Sequence, residues 1–178
     1  MHDVPTSEPS PPREGRRRWI QWAAVLVVVW AAAAYLLVDG DEAAFVAAGT
    51  RFSVPYMMEA LAAAGLQPAQ VRYLIITHVH LDHSGGAPEL ARACPEATVL
   101  CHPRAERHLV DPSKLVASAR PIYGDERFNE LYGEIGPIAA ERVKTVDDNG
   151  TISLGNCTLS FLESPGHATH HFCVHDLD

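Results

Sequence analysis

Between Thr77 and Gly86 the chain reads THVHLDHSGG, placing His78, His80, Asp82 and His83 within six positions. Imidazole and carboxylate are donors that zinc accepts alongside thiolate. Ligands at alternate positions turn His78 and His80 to one side of the loop. Asp82 and His83 point elsewhere and suit a second ion a few ångströms away. Two metals held about 3.5–4 Å apart can share a water, lower its pKa and present hydroxide to a carbonyl. A solvated polar loop rich in histidine is the competing reading, and four donor-type residues in six positions after an apolar strand weigh against it.

The elements that must position these groups are legible on either side. The apolar run Tyr73-Leu74-Ile75-Ile76 predicts a buried strand leading into the loop, and Gly85-Gly86 closes it. Far downstream, Ser164-Pro165-Gly166-His167 offers another histidine directly after a strand-like run.

The spacing H-x-H-x-D-H resembles the signature of the metallo-β-lactamase superfamily of hydrolases, and Ser164-Pro165-Gly166-His167 resembles that family's loop carrying a further zinc histidine. The resemblance runs from about Tyr35 to the end of the chain. It implies an α/β fold, the N-terminal portion of a four-layer αββα sandwich. It also implies that His78, His80 and His167 share one zinc with an open position for water. Asp82 and His83 would begin a second zinc site, which in the family also takes an aspartate from a G-D loop and a later histidine. Neither is found: Asp176 and Asp178 do not follow a glycine. The chain is therefore expected to stop before such a domain is complete, with apolar surface left exposed. Family members also carry a D-x-G-T pattern whose aspartate braces the metal loop. Here it reads Ala47-Ala48-Gly49-Thr50, and Ala47 offers no side-chain acceptor.

The activity so implied is zinc-dependent hydrolysis. Metal-bound hydroxide attacks a carbonyl, zinc stabilises the oxyanion, and Asp82 orients the hydroxide or relays its proton. The motif is closer to the thioesterase and lactonase branches (glyoxalase II-like enzymes) than to penicillin-degrading members, so a small ester, thioester or lactone is the expected substrate. The alternative is a non-catalytic metal-binding remnant lacking the second-site aspartate and histidine.

Composition narrows the classes. A chain of 178 residues with 47% hydrophobic content suffices for one domain with a sizeable core. A net charge of −8 argues against nucleic acid as partner, leaving a small-molecule substrate. Cys94, Cys101, Cys157 and Cys173 form no C-x-x-C pair and read as free thiols, mostly buried. No serine sits in a G-x-S-x-G elbow, so serine-hydrolase chemistry lacks support.

Residues 1–18 are rich in Pro and Ser, end in Arg16-Arg17-Arg18 and read as a disordered tail. Residues 19–34 are apolar except for Gln21: a membrane anchor or export signal by one reading, an extra buried strand or helix by the favoured one. Cytoplasmic location goes with the latter, and residues 35–178 form the incomplete domain. Within it, Tyr35–Val38 and Ala43–Val46 predict a hairpin about Asp39-Gly40-Asp41. Ser53 and Pro55 predict a helix to about Ala64, stopped by Gly65, with Met57, Met58 and Leu61 facing the core. A short helix over Pro88–Ala93, a strand over Ala97–Cys101, a helix from His102 to Val110 and a helical stretch broken by Pro and Gly over Asp111–Gly136 follow. Arg142–Val146, Thr151–Leu154 and Cys157–Leu162 predict a meander, with Asn149-Gly150 as hairpin turn. His102 and His108 read as structural or solvated. Tyr123, Phe128 and Tyr132 read as packing near the substrate mouth. His170 is a candidate functional contact, and His171 is expected to enter the next strand.

Overall fold

The computed structural model describes residues 34–177 together with the backbone of a short strand, β1 (Ala23–Val25). The tail over 1–18 and most of the apolar segment 19–34 lie outside the described residues. The described part of that segment is β1, which pairs antiparallel with β2 (Ala34–Asp39). Among the described residues no helix is long and apolar enough to cross a membrane.

β2 and β3 (Glu42–Val46) form the expected hairpin, with Gly40 at φ +64 in its turn. β4 (Val71–Ile76), β5 (Thr98–Cys101) and β6 (Val143–Thr145) then add in parallel, giving a six-stranded sheet in the order β1-β2-β3-β4-β5-β6. A second, antiparallel sheet holds β7 (Thr151–Leu154), β8 (Cys157–Glu163) and β9 (Phe172–Asp176). Among the described residues six α-helices connect or flank them: α1 (Val54–Ala63), α2 (Leu81–Ser84), α3 (Ala87–Ala93), α4 (Glu106–Val110), α5 (Ser113–Tyr123) and α6 (Asp125–Leu131).

The period of two along each central strand divides the core into two layers. Leu36, Phe45, Leu74, Ile76 and Val99 pack on the helices with Met57, Leu61 and Leu90. Leu37, Ala44, Ile75 and Leu100 face the other way and meet Leu154, Leu159, Phe161 and Phe172 of the second sheet. Helices, large sheet and small sheet thus stack as three layers of the αββα plan. Between the two sheets, Tyr35, Leu37, Val46, Leu154, Leu159 and Val174 line an apolar cleft of about 190 Å³.

Two expectations fail in the last third. β6 does not belong to the meander; it extends the large sheet, pairing Val99 with Val143. The reason lies one residue earlier. The Arg142 guanidinium donates to the carbonyl oxygens of Ala91, Cys94 and Ala97 at 2.6, 2.8 and 2.6 Å. It satisfies the open C-terminal end of α3 and fixes the strand beside β5. Asn149, at φ +60, and Gly150 do make a tight turn, but it passes the chain from one sheet to the other instead of closing a hairpin. Ser53 precedes α1 as expected, yet its hydroxyl accepts from the Thr50 N–H at 3.3 Å and does not cap the helix.

Candidate metal centre

The register of β4 against β5 sets Ile76 beside Cys101, so the segments beginning at Thr77 and His102 leave the large sheet at the same edge. After β4 the chain turns at once into α2, a single helical turn held by N–H bonds from His83 and Ser84 to the His80 carbonyl, both 2.9 Å. The segment after β3 wraps this turn with main-chain bonds. Ala48 N–H donates to the His83 carbonyl at 2.7 Å, and Gly86 N–H to the Gly49 carbonyl at 2.9 Å. The approach is close enough to require glycine: a Cβ on Gly86 would collide with the carbonyl oxygens of Ala48 and Thr50, the latter at 2.6 Å. Ala47 sits in the left-handed region at φ +60, with its N–H on the Ile75 carbonyl at 2.9 Å. The brace for which the sequence offers no side chain is present here as backbone.

His78 is buried, only 3% exposed. Its Nδ1 lies 3.1 Å from the Thr77 hydroxyl, while its enclosed Nε2 has no hydrogen-bond partner among the described residues. An enclosed polar atom left unpaired is costly. The atoms nearest to it in chemistry are other imidazole nitrogens. One donor nitrogen each from His78, His80 and His167 fall within 4.8 Å of one another, and His80 Nδ1 stands 2.9 Å from His167 Nε2. Tetrahedral zinc, with Zn–N near 2.0–2.1 Å, spaces its ligand nitrogens roughly 3.3 Å apart. The donor set, its convergence and the orphaned nitrogen all fit a cation.

His167 arrives on the 164–171 loop between β8 and β9. That loop is pinned at its ends: Ser164 N–H donates to the His171 carbonyl at 3.1 Å, and Phe172 N–H to the Thr77 carbonyl, also 3.1 Å. The second bond ties the His167 loop directly to the start of the His78 loop. Asp82 and His83 face each other at 3.4 Å between Oδ2 and Nε2, and the His83 ring centroid is 4.4 Å from that of His78. They border the three-histidine group without joining it, and the described residues supply no further converging donors around them.

The electrostatics favour neutral imidazoles. Burial first, and then the neighbouring His83, His80, His171 and His167, push His78 down to about 3. Burial likewise lowers His80, joined by His167 and opposed by Asp82. His83 is lowered by burial against the pull of Asp82. Each therefore keeps a lone pair at neutral pH, the form a metal requires.

His170 lies beside the cluster, its ring 6.1 Å from that of His80 and its enclosed Nδ1 unpartnered among the described residues. His171 does precede β9, but its ring is 5.2 Å from His78 and its Nδ1 is 2.9 Å from the Ser164 hydroxyl, so it belongs to the site's surroundings. Its place next to His170, four residues after His167, was the available signal. His102 is structural as expected, held to Glu163. His108 is nearer than expected, with its ring 6.5 Å from that of His170. Phe128 and Tyr132 are packing residues, clustered with Leu81 of α2, and Tyr132 donates to the Tyr123 hydroxyl at 3.2 Å. Cys94, Cys101 and Cys157 are buried, while Cys173 is exposed; burial pushes the Cys101 thiol up to about 12.

Comparison with known proteins agrees with this geometry. The family model for the metallo-beta-lactamase superfamily matches residues 27–178. A metallo-beta-lactamase fold-containing protein of Sulfurisphaera tokodaii is 32% identical over 57% of this chain and 40% of its own. A nitric oxide reductase of Moorella thermoacetica is 31% identical over 74% of this chain and 27% of its own. The human acyl-coenzyme A thioesterase MBLAC2 is 28% identical over 58% and 37%. Among solved structures, the MIM-2 metallo-beta-lactamase superposes with a TM-score of 0.62 at 25% identity, covering 81% of this chain and 50% of that one. The chain thus spans 27–40% of the length of these curated relatives and about half of that solved structure.

Proposed function

The chain belongs to the metallo-β-lactamase superfamily, and from that premise we propose that it serves as a zinc-dependent hydrolase acting on the carbonyl of a small ester, thioester or lactone. The observation that carries this reading is the enclosed Nε2 of His78, unpartnered among the described residues, on a ring that converges with the paired nitrogens of His80 and His167. His78, His80 and His167 would hold one ion, with Asp82 and His83 beginning a second position. Zinc bound there would supply a nucleophile at neutral pH and polarise the substrate carbonyl.

The chain's own groups divide the remaining work. Thr77 Oγ1, accepting from His78 Nδ1–H, leaves the Nε2 lone pair free for the ion. His83 is held beside Asp82, whose half-exposed carboxylate is able to take up or orient a proton at the mouth of the cluster. Leu81, Phe128 and Tyr132 form an apolar wall behind α2 that keeps water from its buried side. The thioester class draws support from the relatives named as acyl-coenzyme A thioesterases.

A second reading, metal binding without turnover, is favoured by one observation: the pair Asp82–His83 has no third converging donor among the described residues. Elemental analysis together with a panel of thioesters, lactones and esters separates the two. Bound zinc with hydrolysis abolished by His80→Ala supports the enzyme. Zinc uptake with no turnover of any class by the wild-type chain leaves the binding protein.

A further inference from the structure

The residues that hold His167 in place lie on neither histidine loop. His102 follows β5 at the sheet edge where Thr77 follows β4. Its ring is 3% exposed. Arg104 N–H donates to His102 Nδ1 at 3.0 Å, so the ring proton resides on Nε2 and points to Glu163 Oε1, 2.6 Å away. A hydrogen bond to a carboxylate is among the stronger kinds. Glu163 is the last residue of β8, and the loop carrying His167 begins immediately after it. Two residues past His102, Arg104 Nη1 donates to the carbonyl of Thr169 at 3.0 Å, in the far half of the same loop. Glu163 is also fixed from behind, its N–H donating to Asp148 Oδ1 at 2.8 Å.

We propose that the turn His102-Pro103-Arg104 is a two-point clamp, with His102 acting through Glu163 and Arg104 through the Thr169 carbonyl to set His167 at coordinating distance from His80. The clamp rests on the reading of His78, His80 and His167 as ligands to one ion. His102 and Arg104 are positioning residues: their bonds reach the loop's entry and its far half, and neither is counted among the ligands. The arrangement explains a buried histidine bonded across 61 residues to a half-exposed glutamate. Without it the exposed His167 loop would keep its end ties, Ser164–His171 and Phe172–Thr77, and lose both polar bonds that come from the turn after β5.

The test uses the full chain and metal alone. Zinc affinity is measured by chelator competition, and the Co(II)-substituted site is read by its visible absorption. Glu163→Ala removes the acceptor from the exposed side and leaves the core intact; Glu163→Gln keeps an acceptor oxygen. Partners of this kind matter about 10–100-fold to metal affinity, so Glu163→Ala and His102→Ala should each weaken zinc by that factor and alter the cobalt spectrum. Glu163→Gln should stay within about threefold of wild type, since the bond survives. If Glu163→Ala binds zinc as wild type does, with an unchanged cobalt spectrum, the clamp is overturned while the metal site stands. If the wild-type chain takes up neither zinc nor cobalt, the metal reading falls and the clamp with it. Should His102→Ala fail to fold, the Glu163 pair decides alone.

Discussion

The two histidine loops reach the same point by opposite means. The loop of His78 and His80 is built into the core: it continues a buried strand, closes into α2, and is gripped by the backbone of 47–50. The loop of His167 is exposed and hangs between two strands of the small sheet, tied by main-chain bonds at its ends and by side chains that come from elsewhere. One half of the site is therefore set by folding itself, and the other half is set by a few polar bonds. Ligand geometry on a rigid element tolerates little change nearby, whereas geometry on a tethered loop tolerates change in the loop but not in its tethers.

Glycine substitutions break this comparison most sharply. Gly86→Ala would drive a methyl group into the carbonyls of Ala48 and Thr50, in the segment whose Ala48 N–H and Gly49 carbonyl are bonded to the metal loop. Because backbone must shift to relieve the overlap, a loss of roughly 2–4 kcal/mol is expected, seen as a lower chemical-denaturation midpoint, together with loss of zinc uptake. Gly166→Ala, one residue before His167, meets nothing within 4 Å and has no positive φ. It should change stability by less than about 0.5 kcal/mol and leave zinc binding intact. Equal effects at both positions would mean that the loops are held alike.

Acidification gives the next largest effect. His78 has a folded pKa near 3 against an ordinary value of 6.5, with burial as the first cause. The folded state therefore binds fewer protons than the unfolded chain below pH 6.5, and stability must fall as pH drops. His80 and His83 are shifted in the same direction. At a limiting slope of about 1.4 kcal/mol per pH unit for one proton, His78 alone should cost the metal-free protein roughly 1.5 kcal/mol between pH 6.5 and pH 5. Urea denaturation at several pH values measures the slope, and His78→Gln should flatten it.

How much of this was visible beforehand follows from the same contrast. The first motif was legible because its strand, its donors and its closing glycines are consecutive in the chain. His167 was legible through Pro165-Gly166 and the resemblance. Its tethers were not, because His102 and Glu163 are 61 residues apart and each is unremarkable alone. β6 departs from the expected meander for a related reason. Three alternating residues do not specify which sheet receives them, and the choice is made by the Arg142 guanidinium on carbonyls 45 to 51 residues earlier. Asn149-Gly150 announced a tight reversal without saying that it would cross between sheets. Local chemistry is written locally; long-range polar bonds are not.

The smallest effect concerns Ala47, where the integrated loop carries a residual cost. Its φ of +60 places a Cβ-bearing residue in the left-handed region, which costs a non-glycine residue about 1–2 kcal/mol. The segment keeps this conformation because Ala47 and Ala48 donate their N–H groups to the Ile75 and His83 carbonyls, one on each side of the metal loop. Ala47→Gly relieves the strain but returns freedom to the unfolded chain, worth about 0.4–1 kcal/mol in the opposite direction. The buried methyl, 4% exposed, is also lost. A net change between zero and about 1 kcal/mol of stabilisation is expected, read as a small rise in denaturation midpoint with zinc affinity unchanged. A fall of more than about 1 kcal/mol would show that the Ala47 methyl is itself packing the loop, so that the grip on His78 and His80 is not made by backbone alone.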